Sequence, residues 1–295
     1  MARKVVPLAT IASVLGLVLV VAGPSVAATS CSVKNERTGA TRRALQPAVD
    51  RAAKGDTLQI RGTCIGNTAI RGKVLHLEGI PTGLHPIPTL DAQDGSRVLY
   101  VKGSRVAIRD LTISNGRAEW GGGILVDRGG RVTLNGTATL SSNRAHLGAG
   151  AFVRYDGTLT MNDSSAVTAN VAKYHGGGIY ILAYNEGGRF AMHDTSSVYD
   201  NRARISGGGG IYNEGTVRLD GASSVTGNSA GHGGGIANDR LLVLDGSASV
   251  TGNTALTEGG GVIRLGPFDV LRVCSELVAL SPNDPDDPPQ TEPCP

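Results

Sequence analysis

Six times between Asn115 and Val262 the chain repeats one pattern: a short apolar run ending in Asn, a few variable residues, a glycine triplet and a small or aliphatic residue. The first three copies run from Asn115 to Gly121-Gly122-Gly123-Ile124, from Asn143 to Gly148-Ala149-Gly150-Ala151, and from Asn170 to Gly176-Gly177-Gly178-Ile179. The last three run from Asn201 to Gly208-Gly209-Gly210-Ile211, from Asn228 to Gly233-Gly234-Gly235-Ile236, and from Asn253 to Gly259-Gly260-Gly261-Val262. Successive asparagines stand 28, 27, 31, 27 and 25 residues apart. A fixed period of this size marks a solenoid, in which each repeat buries its apolar face only against its neighbours.

The copy from Gly208 to Asn228 reads as one coil. Ile211-Tyr212 is a short strand, and Asn213-Glu214-Gly215 turns the chain with residues that tolerate positive φ. Thr216-Val217-Arg218-Leu219 alternates polar and apolar, as a half-buried strand does. Asp220-Gly221 turns again, and Ser223 to Thr226 makes a third strand closed by Gly227-Asn228. Three strands and three turns leave no room for a helix, so the predicted fold is an all-β, single right-handed parallel β-helix with three short strands per coil. Val132 and Leu134, Leu159 and Met161, and Val217 and Leu219 should face inward coil after coil, as should Leu140, Val167, Val198, Val225 and Val250. The six asparagines should stack as a ladder at one corner.

The flanks carry their own signals. Arg3 and Lys4, an apolar stretch from Val5 to Ala22 and small residues up to Ala28 read as a secretory signal over 1–28. An N-terminal cap follows over 29–57, with Pro47 placed for a helix start and Gly55 for its stop. The β-helix spans 58–273, and 274–295 is a Pro-rich, acidic tail. No second apolar segment is long enough to span a bilayer, so the mature chain should be an exported monomer, outside the cell or at its surface. The four cysteines, Cys31, Cys64, Cys274 and Cys294, allow three pairings. Their placement, two near each end, favours Cys31–Cys64 and Cys274–Cys294 as end staples. Without Arg3 and Lys4 the chain has 26 basic and 25 acidic residues, a balance that argues against a nucleic-acid partner.

The stretch Leu45 to Cys64 ("LQPAVDRAAKGDTLQIRGTC"), with Val106 to Gly116 ("VAIRDLTISNG"), resembles the opening of secreted right-handed parallel β-helix proteins of the pectate-lyase-like superfamily. The glycine triplets with strands ending in Asn resemble the GGAI and FxxN repeats of chlamydial polymorphic outer-membrane proteins, with Val or Leu in place of Phe, as in Val225-Thr226-Gly227-Asn228. The resemblance covers roughly residues 40–273 and is similar in kind to exported bacterial β-helix proteins. It implies the fold; activity does not follow, because this fold hosts lyases, hydrolases and adhesins.

Stacked coils set equivalent positions about 4.8 Å apart, so columns carry the chemistry. The residue after each glycine-led aliphatic gives Leu125, Phe152, Tyr180, Tyr212, Ala237 and Ile263, where the resemblance implies calcium-binding carboxylates and a basic residue in lyases. The aromatics Phe152, Tyr180 and Tyr212 are therefore candidate ligand-binding residues that stack on sugar rings, unless a loop or the tail covers them. The next turn offers Asp127, Asp156, Glu186, Glu214 and Asp239; Glu214 with Asp239 is the candidate Ca²⁺ pair, against ordinary turn chemistry neutralised by nearby arginines. Before the glycines, His232 and Glu258 fall on adjacent coils as a candidate acid–base pair. The third strand turns out Thr139, Ser141, Thr168, Ser224, Thr226 and their equivalents, a flat hydroxyl face suited to polysaccharide, less to ice because Tyr199 interrupts it. Two readings result. One is a non-catalytic binding or structural protein directed at polysaccharide or envelope, with no obligate cofactor. The other is a polysaccharide lyase or glycoside hydrolase.

Overall fold

The computed structural model describes residues 31–83, 87–184, 187–266, 269–284, 291–292 and 294. The expected signal over 1–28, Glu186, the centre of the Gly79–Pro88 loop and most of the Pro-rich run lie outside the described residues. The chain is a parallel β-solenoid of about eight turns, the architecture of the expected right-handed β-helix class. Strands from successive coils stack into one sheet of eleven strands, two of eight and one of six. The eleven-stranded sheet (the long sheet) contains Arg131–Asn135, Thr158–Met161 and their equivalents; the hydroxyl sheet contains Thr139–Ser141 and Ala166–Thr168. The aromatic sheet contains Ile124–Asp127, Ala151–Val153 and Ile179–Ile181.

From the third coil onward the coil has four strands. The fourth lies between the corner Asn and the glycines, in Arg117–Trp120, Arg144–Leu147, Val171–His175, Arg202–Ala203, Ser229–Ala230 and Thr254–Ala255. These segments form the six-stranded sheet. In sequence they read only as variable connectors. Each presents one small inward residue (Ala118, Ala145, Ala172, Ala203, Ala230 or Ala255), too little hydrophobic contrast to mark a strand.

The core is one continuous cluster along the axis. Val132, Leu134, Leu140, Leu159, Met161, Val167, Val217, Leu219 and Val225 are all at or near zero exposure, as their alternation requires. The asparagine ladder forms too, but its membership differs from the periodic reading. Asn143, Asn170, Asn201, Asn228 and Asn253 are buried; the last four each receive a backbone N–H and a side-chain amide N–H from the Asn of the coil before, at 2.9–3.1 Å, and Asn143 receives a backbone N–H alone, at 2.8 Å. Asn143 has no amide above it: the position in register is Gly116, whose N–H reaches Asn143 Oδ1. Asn115 is one residue early, aligned with Ser142, and its side chain donates to Asp91. At the far end Asn283, from the tail, accepts from Asn253 and extends the ladder by one rung.

Both ends are closed. A seven-residue helix, Leu45–Arg51, buries Leu45, Ala48 and Val49 against the first coil. Gln46 bonds both the N–H and the C=O of Ala69, standing in for a neighbouring strand at the edge of the aromatic sheet. The Ser32–Asn35 strand blocks the long sheet by antiparallel pairing, and Cys31–Cys64 ties it to the hydroxyl sheet. At the other end Cys274–Cys294 forms, and Ala279, Asp284 and Glu292 pair with Ser249, Thr254 and Arg272. Among the described residues no helix is long and apolar enough to cross a membrane.

Candidate functional site

The aromatic column stacks in the expected register, Leu125 to Phe152 to Tyr180 to Tyr212. Ring centroids lie 5.0 Å apart from Phe152 to Tyr180 and from Tyr180 to Tyr212, nearly parallel. The column is not open to sugar rings along its length. Phe152 is 3 % and Tyr180 5 % exposed; only Tyr212 remains half-buried. Trp120, Leu147 and His175, from the end of the six-stranded sheet, fold over it, with Trp120 6.1 Å from Phe152 and His175 4.4 Å from Tyr212. Two outward-facing rows meet where the six-stranded sheet turns into the aromatic sheet, and they make a second apolar cluster outside the lumen.

The polar candidates fall against this cluster. The Tyr180 hydroxyl donates to Glu214 Oε1 at 2.5 Å. Burial, then the Glu214 carboxylate, pushes the Tyr180 phenol far up, and burial with Glu214 and Asp239 pushes Tyr212 up to about 12. Both phenols are therefore protonated at neutral pH and are not bases there. Glu214 is engaged by Tyr180, and among the described residues no three His, Cys, Asp or Glu side chains gather around a common point. Asp127, at the end of the Ile124–Asp127 strand, is buried between the Tyr100 hydroxyl and Arg154.

His232 and Glu258 do lie on adjacent coils, but among the described contacts no hydrogen bond or ion pair joins them. His232 leans over Gly207 on the preceding coil, where a Cβ would come 2.4 Å from its Nε2. On the far side of Gly207 stands His175, held below its ordinary pKa by burial and then by His232. The missing side chain at Gly207 leaves the space that the His232 ring fills. Glu258 is exposed beyond it.

The feature that sequence reading missed lies on the outside of the six-stranded sheet. A cleft of about 220 Å³ runs along it, lined by Arg117, Arg144, His146, Lys173 and Arg204, with Ala118 and Ala145 between them. Arg117 and Arg144 are direct neighbours in the ladder, Arg144 sits beside Val171, and Val171 beside Arg202. Arg117 and Arg144 are therefore like charges about 4.8 Å apart, which is unfavourable without a counter-charge. Asp94 supplies one, 2.9 Å from Arg144, in a half-exposed pair. Lys173 stacks on Tyr174, 4.8 Å from the ring centroid, and Tyr174 meets His146 edge to face. The alanine column every coil, flanked by Arg117, Arg144, Lys173, Arg202 and Arg204, was the available signal in the sequence.

No protein-family model, curated protein or solved structure matches the chain.

Proposed function

We propose that this is an exported, non-catalytic binding protein whose six-stranded sheet holds an acidic polysaccharide outside the cell or at its envelope. The observation that carries the reading is the basic cleft: five cationic or ionisable basic side chains along the outside of one sheet, in a chain of nearly balanced charge. Cations from successive coils, Arg117, Arg144, Lys173 and Arg204, suit a polymer with repeated anions, and polymer contact adds counter-charge to a group in which, among the described residues, only Arg144 has a paired carboxylate. The flanking Tyr174 offers a ring for a sugar face. Two disulfides fit an oxidising compartment. The lyase or hydrolase reading finds less support. Its acid–base pair, His232 with Glu258, is not joined, and the phenols of Tyr180 and Tyr212 are held protonated.

The test is retention on immobilised polygalacturonate against neutral dextran, over a salt series. The expected result is salt-sensitive retention on the acidic polymer alone, reduced at least tenfold in a triple Arg117→Gln, Arg144→Gln, Lys173→Gln variant. Equal retention of that variant overturns the site. Release of unsaturated or reducing ends overturns the non-catalytic assignment, and preferential retention of single-stranded DNA overturns the polysaccharide class.

A further inference from the structure

A second cleft, of about 320 Å³, opens at the N-terminal end of the aromatic sheet between the capping helix and the Leu99–Lys102 strand. It is lined by Gln46, Asn67, Thr68, Arg71, Arg97 and Tyr100. A liquid water takes about 30 Å³, so the space is that of roughly ten waters, enough for one sugar-sized solute. The chemistry of its wall is unusual for this chain. The Arg97 guanidinium is half-buried and donates from Nε and Nη2 to the carbonyls of Trp120 and Gly121, 2.7–3.2 Å away; among the described residues no carboxylate bonds it. Arg71 lies over the Tyr100 ring at 5.0 Å, and Arg97 approaches the same ring at 5.9 Å. The one buried carboxylate nearby, Asp127, is already committed, through Oδ2 to the Tyr100 hydroxyl at 2.6 Å and through Oδ1 to Arg154 at 3.2 Å. Arg97 and Arg154 thus lie near one acid, which Arg154 bonds and Arg97 does not. A partly desolvated cation without an acidic partner is costly, and an arginine fork matches a carboxylate two oxygens at a time.

We infer that this cleft binds the carboxylate of an acidic sugar residue, with the Arg71 guanidinium and the terminal Nη edge of Arg97, both set against the Tyr100 ring, as its forks. The side-chain amide of the exposed Asn67 stands on the same wall as a donor for sugar hydroxyls. Gln46 does not recognise ligand directly, because its amide is occupied by Ala69; it holds the capping helix against the strand that carries Arg71. The site is distinct from the basic cleft of the six-stranded sheet, shares no lining residue with it, and does not depend on that reading.

The chain contains one tryptophan, Trp120, whose carbonyl holds Arg97 and whose indole lies 5.0 Å from Arg154. Its fluorescence therefore reports on this cluster. Titration of the mature protein with D-galacturonate should give a saturable change, and the uncharged methyl ester should give none. Arg71→Gln, at an exposed side chain that lies over the Tyr100 ring, should weaken the response about tenfold. Arg97→Lys, which keeps the charge and loses the fork, should weaken it further. The triple variant of the six-stranded sheet should respond as the wild type does, so this site and the polymer cleft fail separately. A galacturonate trimer binding more tightly than the monomer assigns a chain end as the natural ligand, and equal binding assigns a free uronic acid. No saturable change, an equal response to the methyl ester, or an unaltered Arg71→Gln titration would overturn the assignment.

Discussion

The asparagine ladder shows how much one side chain can hold in a solenoid. Asn201 accepts from the N–H and the amide of Asn170, and donates to Val167 O, Tyr199 O and Asn228 Oδ1, all in the interior. Asn201→Ala leaves at least one buried donor and one acceptor unpaired, at about 1–3 kcal/mol each, so the urea midpoint should fall accordingly. Asn115 looks identical in sequence but stands outside the ladder with positive φ, in a column where Ala169 adopts the same φ. Asn115→Ala should cost only about 1 kcal/mol; equal losses in the two variants would contradict the register. The ladder was legible because Asn recurs after each apolar run. Its true phase was not, because an Asn before the corner and an Asn at the corner differ only in backbone conformation. Asp56 supplies a second residue-scale test. Arg37 first, then Asn35, and the Ala53 N–H hold its carboxyl well below the usual range. A depressed folded-state pKa gives stability that is present above the unfolded value, near pH 4, and lost as pH falls through the folded one. The stability gap between wild type and Asp56→Asn should therefore close from pH 6 towards pH 2; a gap independent of pH would assign Asp56 a role other than charge.

At the scale of the element, the glycine triplet does two separate things. Its first residue takes φ between +56 and +69° in all six copies, a turn that glycine makes without strain. The third, and the second in every copy but the one that carries Ala149, have ordinary backbone and a close neighbour: a Cβ on Gly209 would sit 2.3 Å from the Gly234 carbonyl oxygen of the next coil. Gly209→Ala must push coils apart, and a loss of about 3 kcal/mol or more is expected in thermal or urea unfolding; an unchanged midpoint would mean the coils can part freely there. The inward faces of the long and hydroxyl sheets could be read from alternation because each carries large apolar residues at every second position. The fourth strand escaped because charge and alanine give little amplitude. The same omission hid the cover on the aromatic column, since Trp120, Leu147 and His175 belong to that strand. Sequence placed Phe152, Tyr180 and Tyr212 in one row correctly and could not say what lay above them. Phe152→Leu should accordingly lower stability by about 1 kcal/mol and leave retention on acidic polymer unchanged; lost retention with unaltered stability would return the column to the surface as a binding face.

For the whole molecule the governing problem is the two open ends, since every parallel sheet of a solenoid ends in a row of unpaired backbone groups that can recruit another chain. The N-terminal end is closed three ways, one for each sheet that begins there: an antiparallel strand on the long sheet, the Cys31–Cys64 link on the hydroxyl sheet, and Gln46 on the aromatic sheet. The C-terminal end relies on the tail, which lends Ala279 O to Val250 N–H, Asp284 O to Ala255 N–H and Asn283 Oδ1 to Asn253 N–H, and is tied back by Cys274–Cys294. Ending the chain after Val273 strips all of these at once. In a solenoid each coil is stabilised by its neighbours, so the last coil should fray and its edges should pair between molecules. Light scattering should then show association that rises with concentration, while the full chain stays monomeric. Asn283→Ala separates the two roles of the tail: it keeps the covering chain and the disulfide but removes one rung, so it should cost about 1–2 kcal/mol without causing association. If the truncated chain remains monomeric at every concentration, the tail is not what protects that end, and the terminal coil must be closed by its own side chains.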